Sequence, residues 1–181
     1  MRIIAGKYRS RPLKTLKSNH TRPTLDKVKE AVFSKLGAYF AGGKCLDLFS
    51  GSGAIGLECL SRGMDEAYMI DNNYDAINII KANVKALEAQ KCHILKMNYQ
   101  VALSKLQDEC FDLIYLDPPY HLTVYDEIIK FIYEHDMLDQ DHGYIVCEGL
   151  KEVKIQGYEE LAIEKSVDYG IMTITYLRYK K

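Results

Sequence analysis

No apolar run in this 181-residue chain approaches the length of a membrane span, which excludes a helical membrane protein. The N-terminal stretch MRIIAGKYRSR is basic but has no apolar core segment, so a secretory signal is not expected and the cytoplasm is. The five cysteines, Cys45, Cys59, Cys92, Cys110 and Cys147, form no C-x-x-C pair, and no histidine stands at ligand spacing from any of them. That excludes a disulfide framework and a structural zinc, and no metal is expected. Internal repeats and low-complexity segments are also lacking.

What remains is an ordinary globular composition, 48% hydrophobic and 27% charged, enough to bury one core. The net charge of −1 hides an asymmetry. Residues 1–29 hold nine Lys or Arg against the single acid Asp26, while the rest carries 15 basic and 24 acidic residues. A basic end on an acidic body suits a polyanionic partner engaged from one side. Ile3, Ile4, Tyr8, Pro12 and Leu13 lie among those cations, so the segment is expected to fold, as a hairpin or extended arm turning at Gly6-Lys7. The arm is taken as residues 1–23, and the domain as residues 24–181.

The chain is organised around Lys44 to Gly56, KCLDLFSGSGAIG. Its apolar start, Cys45 to Phe49, is too short for a helix and predicts a buried strand. Ser50-Gly51-Ser52-Gly53 requires a tight turn, and a helical pattern follows. Strand, glycine turn and helix together leave the first N–H groups of the helix unpartnered at the strand's carboxyl end. Gly51, Gly53 and Gly56 fit G-x-G-x-x-G, a weak signal by itself. Two acids strengthen it. Asp47 lies four residues before Gly51, and Asp71 ends a second apolar run 20 residues after it, where a ribose-binding carboxylate belongs.

Strand and helix patterns alternate from Lys44 to Glu148, which predicts a parallel sheet with helices on both faces. Before them a helix is expected from an N-cap at Thr24 to about Phe40, with Leu25, Val28, Val32, Leu36 and Tyr39 on its apolar stripe. Further strands are expected at 92–97, 111–117 and 144–148. Two more, at 160–167 and 171–179, flank a turn at Asp168-Tyr169-Gly170. Asp47, Asp71, Asn98 and Asp117 then fall at or near strand carboxyl ends, where ligands of such sheets bind.

Asp117-Pro118-Pro119-Tyr120 is the discriminating motif. Two prolines stop the strand and make a rigid polar lip beside a flat apolar ring. The pair DLFSGSG (Asp47–Gly53) and DPPY (Asp117–Tyr120), in this order, resembles the class I S-adenosylmethionine-dependent methyltransferases that modify exocyclic amino groups of bases. Within them the chain resembles the RsmD family, which methylates N2 of a guanine in 16S ribosomal RNA. The likeness covers nearly the whole chain: the arm from Arg2 to Arg11, Arg22-Pro23-Thr24, and Tyr169-Gly170-Ile171 before the last strand. Tyr99 departs from the pattern, since a small residue is expected after Asn98.

The resemblance implies a Rossmann-like α/β fold, with a mostly parallel seven-stranded sheet, and S-adenosylmethionine as cofactor. It implies that Gly51 and Gly53 lie against the methionine part, with Arg22 and Thr24 near that end. Asp47 meets the amino group or a water, Asp71 the ribose and Asn98 the adenine edge, and Phe49 and Asn72 complete the set. An exocyclic amine is a poor nucleophile because its lone pair is delocalised. The Asp117 carboxylate and Pro118 carbonyl are the expected acceptors that orient it, within the lip Asp117, Pro118, Pro119 and Tyr120, and Tyr120 is expected to stack on a flipped-out base. Arg2, Lys7, Arg9 and Arg11 are the expected phosphate contacts. The expected partner is ribosomal RNA or a small-subunit particle, bound by a monomer. Rival readings are an adenine-N6 methylase, a nicotinamide-dependent oxidoreductase and an RNA-binding assembly factor that kept the fold without activity.

Overall fold

The structure is a computed structural model that describes residues 1–16, 23–119 and 122–181. Twelve elements follow one another among the described residues: α1 (Pro23–Leu36), β1 (Lys44–Asp47), α2 (Ala54–Ser61), β2 (Glu66–Asp71), α3 (Tyr74–Leu87), β3 (Cys92–Lys96), α4 (Tyr99–Lys105), β4 (Leu113–Leu116), α5 (Tyr125–Glu134), β5 (Tyr144–Leu150), β6 (Leu161–Tyr169) and β7 (Met172–Tyr179). None of these helices is long and apolar enough to cross a membrane.

The seven strands form one sheet in the order β3-β2-β1-β4-β5-β7-β6. β1 to β5 pair in parallel, and β7 pairs antiparallel with both β5 and β6. This is the Rossmann-like class I methyltransferase architecture that the resemblance implied. The chain order reverses direction between β1 and β4, which makes their carboxyl ends the switch point of the sheet.

Alternation along the strands sorts side chains to two faces. Leu46, Ile114, Leu116, Ile145 and Cys147 pack with α4 and α5. Cys45, Leu113, Tyr115 and Val146 face Val28, Val32 and Phe33 of α1. Near β2, Met69 packs with Leu57 of α2 and Ile77 and Ile80 of α3. Burial on both faces explains why the central strands are continuous apolar runs.

Some boundaries differ from expectation. α1 begins at Pro23, so Thr24 lies inside its first turn and is not the N-cap. The helix stops at Leu36 because Gly37 takes φ +114°, which leaves Tyr39 outside the stripe and 68% exposed. β4 is shorter than its apolar run; Phe111 instead bridges to Leu138. The last hairpin turns at Gly170-Ile171, one step later than predicted, with Gly170 at φ +63°.

The arm folds onto the domain. Its two limbs meet at a bridge between Arg2 and Pro12, with Ile3 N–H donating to Arg11 O at 3.0 Å and Ser10 N–H to Ile3 O at 2.9 Å. Ile3, Tyr8 and Leu13 are buried with residues of α2 and α3. Glu58 of α2, fully buried, accepts from Ile4 N–H (2.9 Å) and Ala5 N–H (3.0 Å) while pairing Lys29 (3.1 Å) and Arg62 (2.8 Å). Gly6 must be glycine: a Cβ there would stand 1.7 Å from Ser61 O.

Candidate active site

β1 delivers Asp47 to the switch point, and Phe49 to Gly53 turn back into α2. Gly51 and Gly53 have φ of +52° and +76°, the left-handed region that glycine occupies without strain. The two glycines serve different purposes. A Cβ on Gly53 would press Met69 Sδ at 3.1 Å and Ile80 Cγ2 at 3.2 Å, whereas one on Gly51 would meet nothing within 4 Å. Gly53 is therefore demanded by packing, and Gly51 faces open space. α2 has no side-chain cap from Gly53, and within its first turn the Gly56 N–H turns to the Asp47 carboxylate.

Asp47 is 2% exposed, and its Oδ2 has no hydrogen-bond partner. Burial raises its pKa to about 7, opposed by the Gly56 N–H and the Ser50 hydroxyl and assisted by Asp71. Asp71, at the tip of β2, accepts from Gly51 N–H at 2.9 Å through Oδ2 and from Asn73 N–H at 2.8 Å through Oδ1. Each oxygen keeps a second lone pair, so a diol contact remains open to it. Asn72 is exposed beside it.

Asn98 sits at the tip of β3 but caps α4: its Oδ1 accepts from Val101 N–H at 2.9 Å. Its amide NH₂ and the second lone pair of Oδ1 are left to meet a ligand. Tyr99, the departure from the family pattern, packs its ring on Phe49 (centroids 5.6 Å apart) and donates to Glu127 at 2.5 Å. It supports the turn's aromatic residue from outside.

β4 pairs beside β1, with Asp47 opposite Tyr115, so Asp117 leaves the sheet at the rim where Gly51 turns. Asp117 and Pro119 are exposed and Pro118 is buried, and Leu122 N–H closes on Pro119 O at 2.8 Å. Withdrawal of water by surrounding protein, then the charges of Glu148 and Asp47, hold the Asp117 carboxyl well above the usual aspartate range. Because Asp117 itself opens to solvent, the two carboxylate neighbours are the firmer part of that cause. Tyr120 and Arg22 lie outside the described residues, as does the side chain of Thr24.

Arg2, Lys7, Arg9 and Arg11 are all exposed on the arm, and Arg11 also caps α3 through Ala86 O at 2.6 Å. The arm reaches the site through a residue that sequence reasoning missed. Asn83 of α3, 2% exposed, accepts from Lys14 N–H (2.8 Å) and donates to Lys14 O (3.0 Å) and Ser52 O (2.9 Å). Glu148 and Tyr115 were missed as well. Tyr115 Oη donates to Glu148 Oε2 at 2.7 Å, and Tyr125 Oη holds Glu148 O at 2.6 Å. The available signal was a lone charge inside the apolar strand YIVCEGL.

A family model described as "Conserved hypothetical protein 95" matches residues 1–178. The chain belongs to this family, the RsmD family. It is 38% identical to "Putative rRNA methyltransferase YlbH" of Bacillus subtilis (strain 168), over 100% of this chain and 99% of that protein. It is 31% identical to "Ribosomal RNA small subunit methyltransferase D" of Haemophilus influenzae, over 96% and 91% of the two chains. Among solved structures it resembles the "Putative methyltransferase yhhF from Escherichia coli", with TM-score 0.86 and 26% identity, over 100% of this chain and 99% of that one. RsmD membership thus rests on the full length of the chain, the arm included.

Proposed function

We propose that this protein transfers a methyl group from S-adenosylmethionine to N2 of a guanine in small-subunit (16S) ribosomal RNA. The observation that carries the reading is the adjacency of the Gly51–Gly53 turn and Asp117-Pro118 at one rim, on neighbouring parallel strands. The names of the relatives support methyl transfer to ribosomal RNA over nicotinamide chemistry. The Asp47 oxygen left without a partner, and the open space at Gly51, fit a ligand that carries positive charge and approaches the backbone closely.

S-adenosylmethionine supplies an electrophilic methyl on a positively charged sulfur. Gly51 and Gly53 admit its amino-acid end against the backbone, near Asp47, with Arg22 and Thr24 on that side. Asp71 takes the ribose hydroxyls, Asn98 offers its NH₂ to the adenine, and Phe49 and Asn72 border the pocket. Asp117 and the Pro118 carbonyl accept the two N–H bonds of the acceptor amine, which aims its lone pair at the methyl carbon. Tyr120 stacks on the extruded base. Arg2, Lys7, Arg9 and Arg11 hold phosphates and set the register of the RNA. The chain acts as a monomer in the cytoplasm, on ribosomal RNA or on a small-subunit particle.

The test is mass mapping of methylated nucleotides in ribosomal RNA from cells with and without this protein. One N2-methylguanine is expected to vanish from the 16S RNA and to return with the wild-type gene but not with Asp117→Ala. An unchanged map, or loss of an adenine-N6 mark, refutes the guanine assignment.

A further inference from the structure

Glu148 is a buried carboxylate that the reading above leaves without a task. It is held at both its side chain and its backbone. Tyr115 fixes its carboxylate at 2.7 Å, Tyr125 fixes its carbonyl at 2.6 Å, and a Cβ on the next residue, Gly149, would stand 2.9 Å from Tyr125 Oη. The pairing of Leu116 with Cys147 puts residues 117 and 148 side by side at the end of the ladder. Strand alternation sends both toward the face that holds Tyr115 and Val146.

Burying a carboxylate beside other carboxylates is costly unless charge or a proton compensates it. The groups facing this cluster come from every neighbouring element. β1 contributes Asp47, with Asp71 of β2 behind it, and β4 contributes Tyr115. α1 faces this side with Val28, Val32 and Phe33; its Lys29, beside Asp26, is taken by Glu58 of α2 at 3.1 Å, as is Arg62 at 2.8 Å. β7 contributes Ile174, opposite Glu148, and Tyr176, opposite Val146, both uncharged. On the opposite face Asp126 of α5 approaches Cys147. Among the described residues, no cation offsets Asp47, Asp117 and Glu148.

We propose that Glu148 is a positioning residue which, locked beside Asp117 by Tyr115 and Tyr125, makes Asp117 basic enough to accept the proton released in methyl transfer. This deepens the methyltransferase reading and rests on it. The acceptor nitrogen forms its N–C bond as the C–S bond breaks, the bonding pair remaining on sulfur. The nitrogen, now positively charged, sheds one proton, and that proton passes to the Asp117 carboxylate. Asp117 then returns it to solvent through its exposed side. An ordinary aspartate is a weak acceptor near neutral pH; one facing a second fixed negative charge is a better one. Because the two acids interact, the protons they bind belong to the pair.

The decisive variant is Glu148→Gln, which keeps the shape and an oxygen for Tyr115 Oη but removes the charge. The wild-type protein is first titrated without ligand by carbon NMR of its aspartate carboxyls. The Asp117 midpoint is expected above the ordinary aspartate range, and lower by about one pH unit in Glu148→Gln. Single-turnover methyl transfer to small-subunit particles is then followed against pH. The acid limb should move down by the same amount in Glu148→Gln and stay in place in Glu148→Asp, with S-adenosylmethionine affinity changed less than threefold. An ordinary Asp117 midpoint in wild type, or a limb that does not move while the rate falls at every pH, overturns the proposal. Wild type that binds the methyl donor yet methylates no ribosomal RNA refutes the function itself. The ligand-free titration needs no methyl transfer, and should Glu148→Gln fail to fold, an ordinary Asp117 midpoint in wild type still overturns the proposal.

Discussion

Asp71 accepts a hydrogen bond from the backbone N–H of Gly51 at 2.9 Å. The acid expected at the ribose is thus also the clip that holds the glycine turn in shape. Both its oxygens already serve backbone donors, at Gly51 and Asn73, before any ligand arrives. Asp71→Asn keeps one acceptor and Asp71→Ala keeps none. Calorimetry should find S-adenosylmethionine binding weakened in both, by about 1–3 kcal/mol in the alanine variant. A drop in melting temperature is expected mainly for alanine. Equal melting temperatures for both would show that the clip contributes nothing to the turn.

The two turn glycines should separate stability from binding. Gly53→Ala forces a left-handed Cβ against Met69 and Ile80, so denaturant unfolding should show a loss of about 1–3 kcal/mol. Gly51→Ala meets only open space, so backbone strain of about 1 kcal/mol is its whole stability cost. Its larger effect should be on cofactor affinity. The reverse ranking would mean that the open side of Gly51 is not a binding surface.

Asp47 makes the unliganded protein sensitive to pH. Its folded pKa of about 7 lies above that of the unfolded chain, so its stabilising share is complete at low pH. That share is lost as pH rises from the ordinary aspartate value through about 7. Asp47→Asn should therefore raise the denaturant midpoint more at about pH 8 than at about pH 5. Cofactor affinity should fall in the same variant. A gain that is equal at both pH values would refute an ionised, unpartnered Asp47.

Glu58 ties the arm to the domain through two backbone N–H groups and two cations. Glu58→Ala strands both Lys29 and Arg62 and should cost about 3–5 kcal/mol. Limited proteolysis should then cut within residues 1–16 first. Protection equal to wild type would show that apolar contacts of Ile3, Tyr8 and Leu13 suffice.

The exposed arm cations should govern RNA affinity without touching cofactor binding. Replacing Arg2, Lys7, Arg9 and Arg11 by Ala, singly and together, should lower the slope of log affinity against log salt by about 0.7–0.9 per lost phosphate contact. Filter binding at several salt concentrations reads this directly. An unchanged slope in the quadruple variant would move the RNA to another surface.

How much was legible depended on the range of the interaction. The glycine turn, Asp47, Asp71 and Asp117 could be located from sequence because each sits at a junction of local pattern, where an apolar run stops and a turn residue begins. The alternation of strand and helix sufficed for a parallel sheet. The end of α1 was misjudged because Tyr39 continued the apolar period after Gly37 had broken the backbone. That Asn98 also caps α4 was not legible, because capping and ligand binding call for the same side chain.

The sequence alone decided the fold class and one rim of polar tips, because those follow from short-range periodicity and from backbone freedom at glycine and proline. Tertiary structure alone decided which polar groups share that rim. Glu148 reaches Tyr115 across 33 residues, Glu58 reaches Ile4 across 54, and Asn83 reaches Lys14 across 69. Nothing in the local chain encodes such pairings; they arise when parallel strands bring distant tips together and burial compels each polar group to find a partner.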